Sequence, residues 1–112
     1  MKLEFYPEKK LKKQILDIIG KYLDLSSYRV FFFGSRVKKD NFPRSDIDIG
    51  IEGPEELSAK TKLEIEEELD NLPTLYNFDL IDFKKVTSEF KREALRHVEY
   101  VNWSSSFSLD YS

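Results

Sequence analysis

At 112 residues, 40% of them hydrophobic and 35% charged, the chain has the size and composition of one globular domain, not of a disordered segment. Its 18 Lys and Arg against 21 Asp and Glu leave a net charge of -3, which argues against a general nucleic-acid binder. With no cysteine and one histidine, disulfides, thiolate zinc sites, cysteine nucleophiles and multi-histidine metal centres are all excluded.

The opening "MKLEFYPEKKLKKQ" has no apolar stretch of the kind a secretory leader needs, and no run is long enough to span a bilayer. A cytoplasmic protein is expected, with no membrane association. Residues 8–24 read as a helix, with Leu11, Ile15, Ile18, Ile19, Tyr22 and Leu23 on one stripe and Lys9, Lys10, Lys12 and Lys13 away from it. "YRVFFF", 28–33, reads as a central strand because both of its faces are apolar, and Gly34-Ser35 ends it. "DIDIGI", 46–51, alternates strictly and places Ile47, Ile49 and Ile51 on one face. After the Gly53-Pro54 break, a helix starting near Pro54 or Ser58 carries Leu57, Thr61, Ile65 and Leu69, and "NLP" at 71–73 closes it. "NFDLIDF", 77–83, is a third strand. Thr87 or Ser88 caps a last helix with Phe90, Ala94, Val98 and Val101 as its stripe. The expected order is α-β-β-α-β-α, an α/β (α+β) fold. Its first two strands are antiparallel, its second and third parallel across a helix, and its helices lie mainly on one face of a small mixed sheet.

The chemistry gathers around the second strand. Asp46 and Asp48 share the face opposite the isoleucines. Asp79 lies near the start of the third strand, so parallel pairing brings three carboxylates to one end of the sheet. Carboxylates this close repel one another unless protonated or bridged by cations, and hard oxygen ligands select Mg²⁺ or Mn²⁺. The preceding loop carries Arg36, Lys38, Lys39 and Arg44 against Asp40 alone. Gly34-Ser35 lets a phosphate approach the backbone, and the serine hydroxyl donates to it. Arg36 and Arg44 are the candidate phosphate ligands. Metal, cations and geometry are what phosphoryl or nucleotidyl transfer asks of a protein.

"GSRVKKDNFPRSDIDIGI" resembles the G-S-x…S-D-I-D-[LI] signature of the DNA-polymerase-beta-like nucleotidyltransferases, specifically the minimal ones. "FDLIDF" is similar to the family's third-aspartate strand, and "TSEFKREALRHVEYV" to its closing helix. Lys39 stands where many relatives have Gly, so a loop that is stiffer or that holds phosphate differently is expected. The resemblance implies transfer of AMP from ATP with release of pyrophosphate, supported by Mg²⁺, two ions with Mn²⁺ as the substitute. Asp46, Asp48 and Asp79 would be the catalytic and metal-binding residues, and Gly34, Ser35, Arg36, Arg44 and Ser45 would bind the nucleotide. It also implies an antitoxin of a two-gene system, whose partner is a HEPN-domain RNase toxin that some members silence by adenylylating a tyrosine. Residues 1–102 would form the minimal nucleotidyltransferase domain. With no further helical domain expected, the acceptor brings its own surface, and a homo- or hetero-oligomer is possible.

Other readings stand beside this one. D-x-D also marks glycosyltransferases, aspartyl phosphatases and EF-hands, but the chain is short for the first, has Gly50 where the second needs Thr, and lacks the remaining loop ligands of the third. Asp82 rivals Asp79, yet alternation puts it on the opposite face. His97 reads as a helix-surface or partner-facing residue. A non-catalytic antitoxin that works by contact, or a transferase acting on a small-molecule or RNA hydroxyl, is the alternative function. The tail, 103–112, reads either as a frayed terminus or, from the alternation of Phe107, Leu109 and Tyr111 behind Trp103, as an edge-pairing strand.

Overall fold

The computed structural model describes residues 7–34, 47–74 and 76–102. Helix α1, Glu8–Ile19, begins after Pro7, an extended residue whose carbonyl accepts the Leu11 amide at 3.0 Å. It ends at Gly20, so the helix is shorter than its apolar stripe. Tyr22 and Leu23 lie in the turns that follow and still pack on the core. Strand β1, Arg29–Phe33, pairs antiparallel with β2, Ile47–Glu52. Helix α2, Ala59–Asp70, is capped by the Ser58 side chain, which accepts from the Thr61 amide at 3.1 Å. It returns the chain to β3, Phe78–Asp82, which pairs parallel with β2. Helix α3, Ser88–Ala94, is capped by Thr87, which accepts from the Phe90 amide at 3.0 Å.

The last expected element differs in kind. The last helix does not run to Val101. It stops at Leu95, where Arg96 and His97 turn back onto the carbonyls of Glu93 and Ala94, and Val98–Tyr100 forms a fourth strand, β4. The physical reason lies across the sheet. β1 would otherwise present an unpaired outer edge, and β4 covers it antiparallel, with Phe33 opposite Val98 and Phe31 opposite Tyr100. Asn102 secures the junction. Its amide nitrogen donates to the carbonyls of Leu25 and Tyr28, at 3.1 and 2.8 Å, and its side-chain oxygen accepts from the Val30 amide at 3.0 Å. The sheet order is β3-β2-β1-β4.

Alternation divides the sheet into two faces. Val30, Phe32, Ile47, Ile49, Ile51 and Leu80 meet α1 and α2 through Leu11, Ile15, Ile19, Ile65 and Leu69, all essentially without solvent exposure. Each such side chain contributes about 1.5–3 kcal/mol on burial. The other face is not bare. Phe31, Phe33 and Phe83 form a second cluster, covered by Ala94 and Leu95 of the α3 segment together with Val98 and Tyr100. Lys91 of α3 bonds Glu52 of β2, which Arg29 of β1 also holds at 3.0 Å. The helices therefore lie mainly, but not wholly, on one face, and α3 roofs part of the face that carries the aspartates.

Candidate functional site

The register of β2 fixes the site. Asp48 stands opposite Phe33 on its β1 side and opposite Asp79 on its β3 side. Strands in one sheet lie about 4.8 Å apart, and residues in parallel register project to the same face. The two carboxylates therefore sit side by side, Asp48 half-buried and Asp79 exposed. At about 5 Å, two carboxylates repel by roughly 1–3 kcal/mol across the dielectric range from water to a protein surface. Together they would hold a divalent cation, whose charge would offset that repulsion. The donors are hard carboxylate oxygens, so the pair fits Mg²⁺ or Mn²⁺.

Gly34 follows Phe33 at the end of β1. It has φ of 90°, where side chains with a Cβ are strained. A Cβ at this position would lie 2.6 Å from Oδ2 of Asp48. The backbone turn thus calls for glycine, and a Cβ there would in addition push the Asp48 carboxylate aside. Two residues along β2, Gly50 leaves room for the ring of Phe31, which a Cβ there would meet at 2.4 Å. That ring stands edge-on to Phe83, with centroids 4.9 Å apart, and Phe33 meets Phe83 in the same way at 5.1 Å. The carboxylates thus stand beside a rigid aromatic floor.

Asp82 does something else. It is buried on the α1/α2 face, where Oδ2 accepts from the Leu57 amide at 2.8 Å and Oδ1 from the Lys84 amide at 2.9 Å. Both oxygens are committed to backbone, tying the end of β3 to the entry of α2. Of the two aspartates in "FDLID", the structure places Asp79 beside Asp48 and Asp82 on the opposite face.

The remaining sequence candidates, Ser35, Arg36, Lys38, Lys39, Arg44, Ser45 and Asp46, lie outside the described residues, as does the tail from Trp103. Among the described residues, no group of three or more His, Asp or Glu side chains is gathered to hold a metal ion. Nor is any helix among them long and apolar enough to cross a membrane.

Sequence reading did not find the cleft next to this pair. It has a volume of about 430 Å³, is floored by Phe33, Phe90 and Ala94, rimmed by Glu93, Arg96 and His97, and opens beside Gly34. Phe90, read from its spacing as core, is 42% exposed there. His97 is exposed in the turn after α3, in keeping with a surface residue.

Residues 13–102 match the family described as Polymerase beta, Nucleotidyltransferase. No curated protein matches the chain. Several solved structures share its fold. One contains the tri-AMPylated Shewanella oneidensis HEPN toxin in complex with MNT antitoxin. The matched chain is 14% identical, with a TM-score of 0.67 over 94% of this chain and 79% of that one. A toxin-antitoxin structure with AMP-PNP is 17% identical, with a TM-score of 0.68 over 88% of this chain and 78% of that one. The toxin-antitoxin MntA-HepT is 15% identical, with a TM-score of 0.66 over 91% and 79%. At these identities the likeness is one of fold.

Proposed function

Because the chain belongs to the polymerase beta nucleotidyltransferase family, we propose that it transfers AMP from ATP to a hydroxyl of a protein partner, as the antitoxin of a two-gene system. The partner in this reading is a HEPN-domain toxin, and the modification neutralises it. The observation that carries the proposal is the placement of Asp48 and Asp79 in adjacent register, with Gly34 against the Asp48 carboxylate. Support for the partner comes from the solved complexes of similar fold, one of which holds a tri-AMPylated HEPN toxin and another AMP-PNP.

The residues divide the work by position. Asp48, with Asp46 of the same motif, would hold the divalent cation that accompanies the triphosphate, and Asp79 would complete a second cation site. Bound Mg²⁺ neutralises the triphosphate and the departing pyrophosphate. The backbone at Gly34, with Ser35, receives the terminal phosphates, and Arg36, Arg44 and Ser45 add donors to their oxygens. Asp79 is exposed at the outer strand of the sheet, so an acceptor reaches it from solvent. It takes the acceptor hydroxyl's proton as the oxygen bonds the α-phosphorus. The bond from that phosphorus to the bridging oxygen breaks, and its electron pair leaves with pyrophosphate.

The test is transfer of label from α-labelled ATP with Mg²⁺ to the product of a neighbouring HEPN gene. Label on the partner's hydroxyl, lost in Asp48→Asn, supports the reading. Neutralisation of the partner with no label transferred replaces it with inhibition by contact.

A further inference from the structure

We propose that the cleft between the end of β1 and α3 holds the nucleobase of the triphosphate, with Phe90 as its stacking surface. This rests on the nucleotidyltransferase reading and adds to it the residue on which the base rests. Three observations on the described residues carry it.

The first is continuity. Gly34 lines the cleft, and Oδ2 of Asp48 lies beside it, 2.6 Å from where a Cβ on Gly34 would stand. A molecule whose phosphates lie at Asp48 therefore has the cleft within reach on the β1 side.

The second is sidedness. In the order β3-β2-β1-β4, Asp79 and the cleft lie on opposite sides of Asp48. The acceptor hydroxyl belongs at Asp79, so the space beyond Gly34 falls to the donor nucleotide.

The third is chemistry. Phe90 is 42% exposed, yet it meets Phe33 edge-on at 6.2 Å and lies tilted against Phe83 at 5.9 Å, contacts that hold its ring in place. An exposed ring in contact with two other rings, beside the proposed phosphate site, suits a flat heteroaromatic base, which stacks with any aromatic face. The rim supplies polar contacts suited to a base edge and ribose hydroxyls: Glu93 and Arg96, ion-paired at 3.5 Å, and His97. A volume of about 430 Å³ accommodates a base with part of its sugar.

The experiment compares equilibrium binding of Mg-ATP and of inorganic Mg-tripolyphosphate to the full chain and to Phe90→Ala, Phe90→Leu and Phe90→Trp. Stacking predicts that Phe90→Ala and Phe90→Leu weaken ATP binding about tenfold or more, while Phe90→Trp keeps it. Tripolyphosphate, which has no base, should bind all four proteins within about twofold. Phe90→Leu retains an apolar side chain, so it separates loss of the ring from loss of packing. ATP binding unchanged in Phe90→Ala and Phe90→Leu overturns the placement of the base and leaves the transferase reading standing. An equal loss for ATP and tripolyphosphate also overturns it, because the effect then lies at the phosphates. So does normal ATP binding with weakened capture of the protein acceptor, which would give the cleft to the acceptor. A wild-type protein that binds neither ligand removes the transferase reading, and this proposal with it.

Discussion

Replacing Gly34 by alanine probes the junction on which the site depends. The residue sits at φ of 90°, and a Cβ there would come within 2.6 Å of Oδ2 of Asp48. Holding a residue with a Cβ in such a backbone region costs about 1–3 kcal/mol. The steric clash adds to this unless the carboxylate swings aside. For a domain of this size, each kcal/mol lowers Tm by roughly 4–8 °C. Gly34→Ala should therefore melt about 4–24 °C lower, and transfer should fall further than stability because the carboxylate is displaced. A double-mutant cycle separates strain from clash. In an Asp48→Ala background the carboxylate is gone, so Gly34→Ala should be milder by about 0.5–3 kcal/mol. The assay is thermal melting of the four proteins by circular dichroism, with label transfer measured for Gly34→Ala. Equal costs in both backgrounds would refute the contact between Gly34 and Asp48. No cost in either would refute the backbone argument as well.

Three further outcomes follow from the same geometry. Asp79→Asn, at an exposed position, should keep or gain up to about 1 kcal/mol of stability, since a like-charge neighbour is neutralised, while in both Asp48→Asn and Asp79→Asn transfer drops about 10²-fold or more; melting and label transfer on the same samples check this. Asp82→Ala should instead cost about 2–4 kcal/mol, because two backbone amides lose a buried carboxylate acceptor, and denaturant unfolding should show that loss. Tyr22 is pushed up to about 12, first by its hydrogen bond to Glu68, then by burial and by the Glu68 charge. A raised folded value means that this contribution is complete below the unfolded value near 10 and is lost as pH rises toward 12. Tyr22→Phe should therefore flatten the fall in Tm over that alkaline window.

The second strand was the most legible part of the chain. Strict alternation in "DIDIGI" assigns isoleucines to one face and Asp48 to the other, because side chains alternate whatever the tertiary context. The parallel pairing with "FDLID" was also legible, since a helix separates the two strands, and it puts Asp79 beside Asp48. β4 was not. Val98 and Val101 are spaced as a helix stripe would be, and the preceding Thr87 cap begins a real helix. What makes 98–100 a strand is the open edge of β1, a partner almost seventy positions away in sequence. The cleft was hidden for a related reason. Phe90 has helical spacing with Ala94, and its exposure depends on how far the short α3 extends over Phe33 and Phe83. The pattern marks which residues are apolar, and only the packing shows which of them is left uncovered.

The most direct measurement of the central claim is mass spectrometry of the proposed HEPN partner after incubation with ATP, Mg²⁺ and either the wild-type chain or its Asp48→Asn and Asp79→Asn variants. The partner should gain mass in steps of one AMP with the wild-type chain, and in the same time each variant should add at most about a hundredth as much. An unmodified partner in the wild-type reaction, or equal modification by the Asp48→Asn variant, would contradict it.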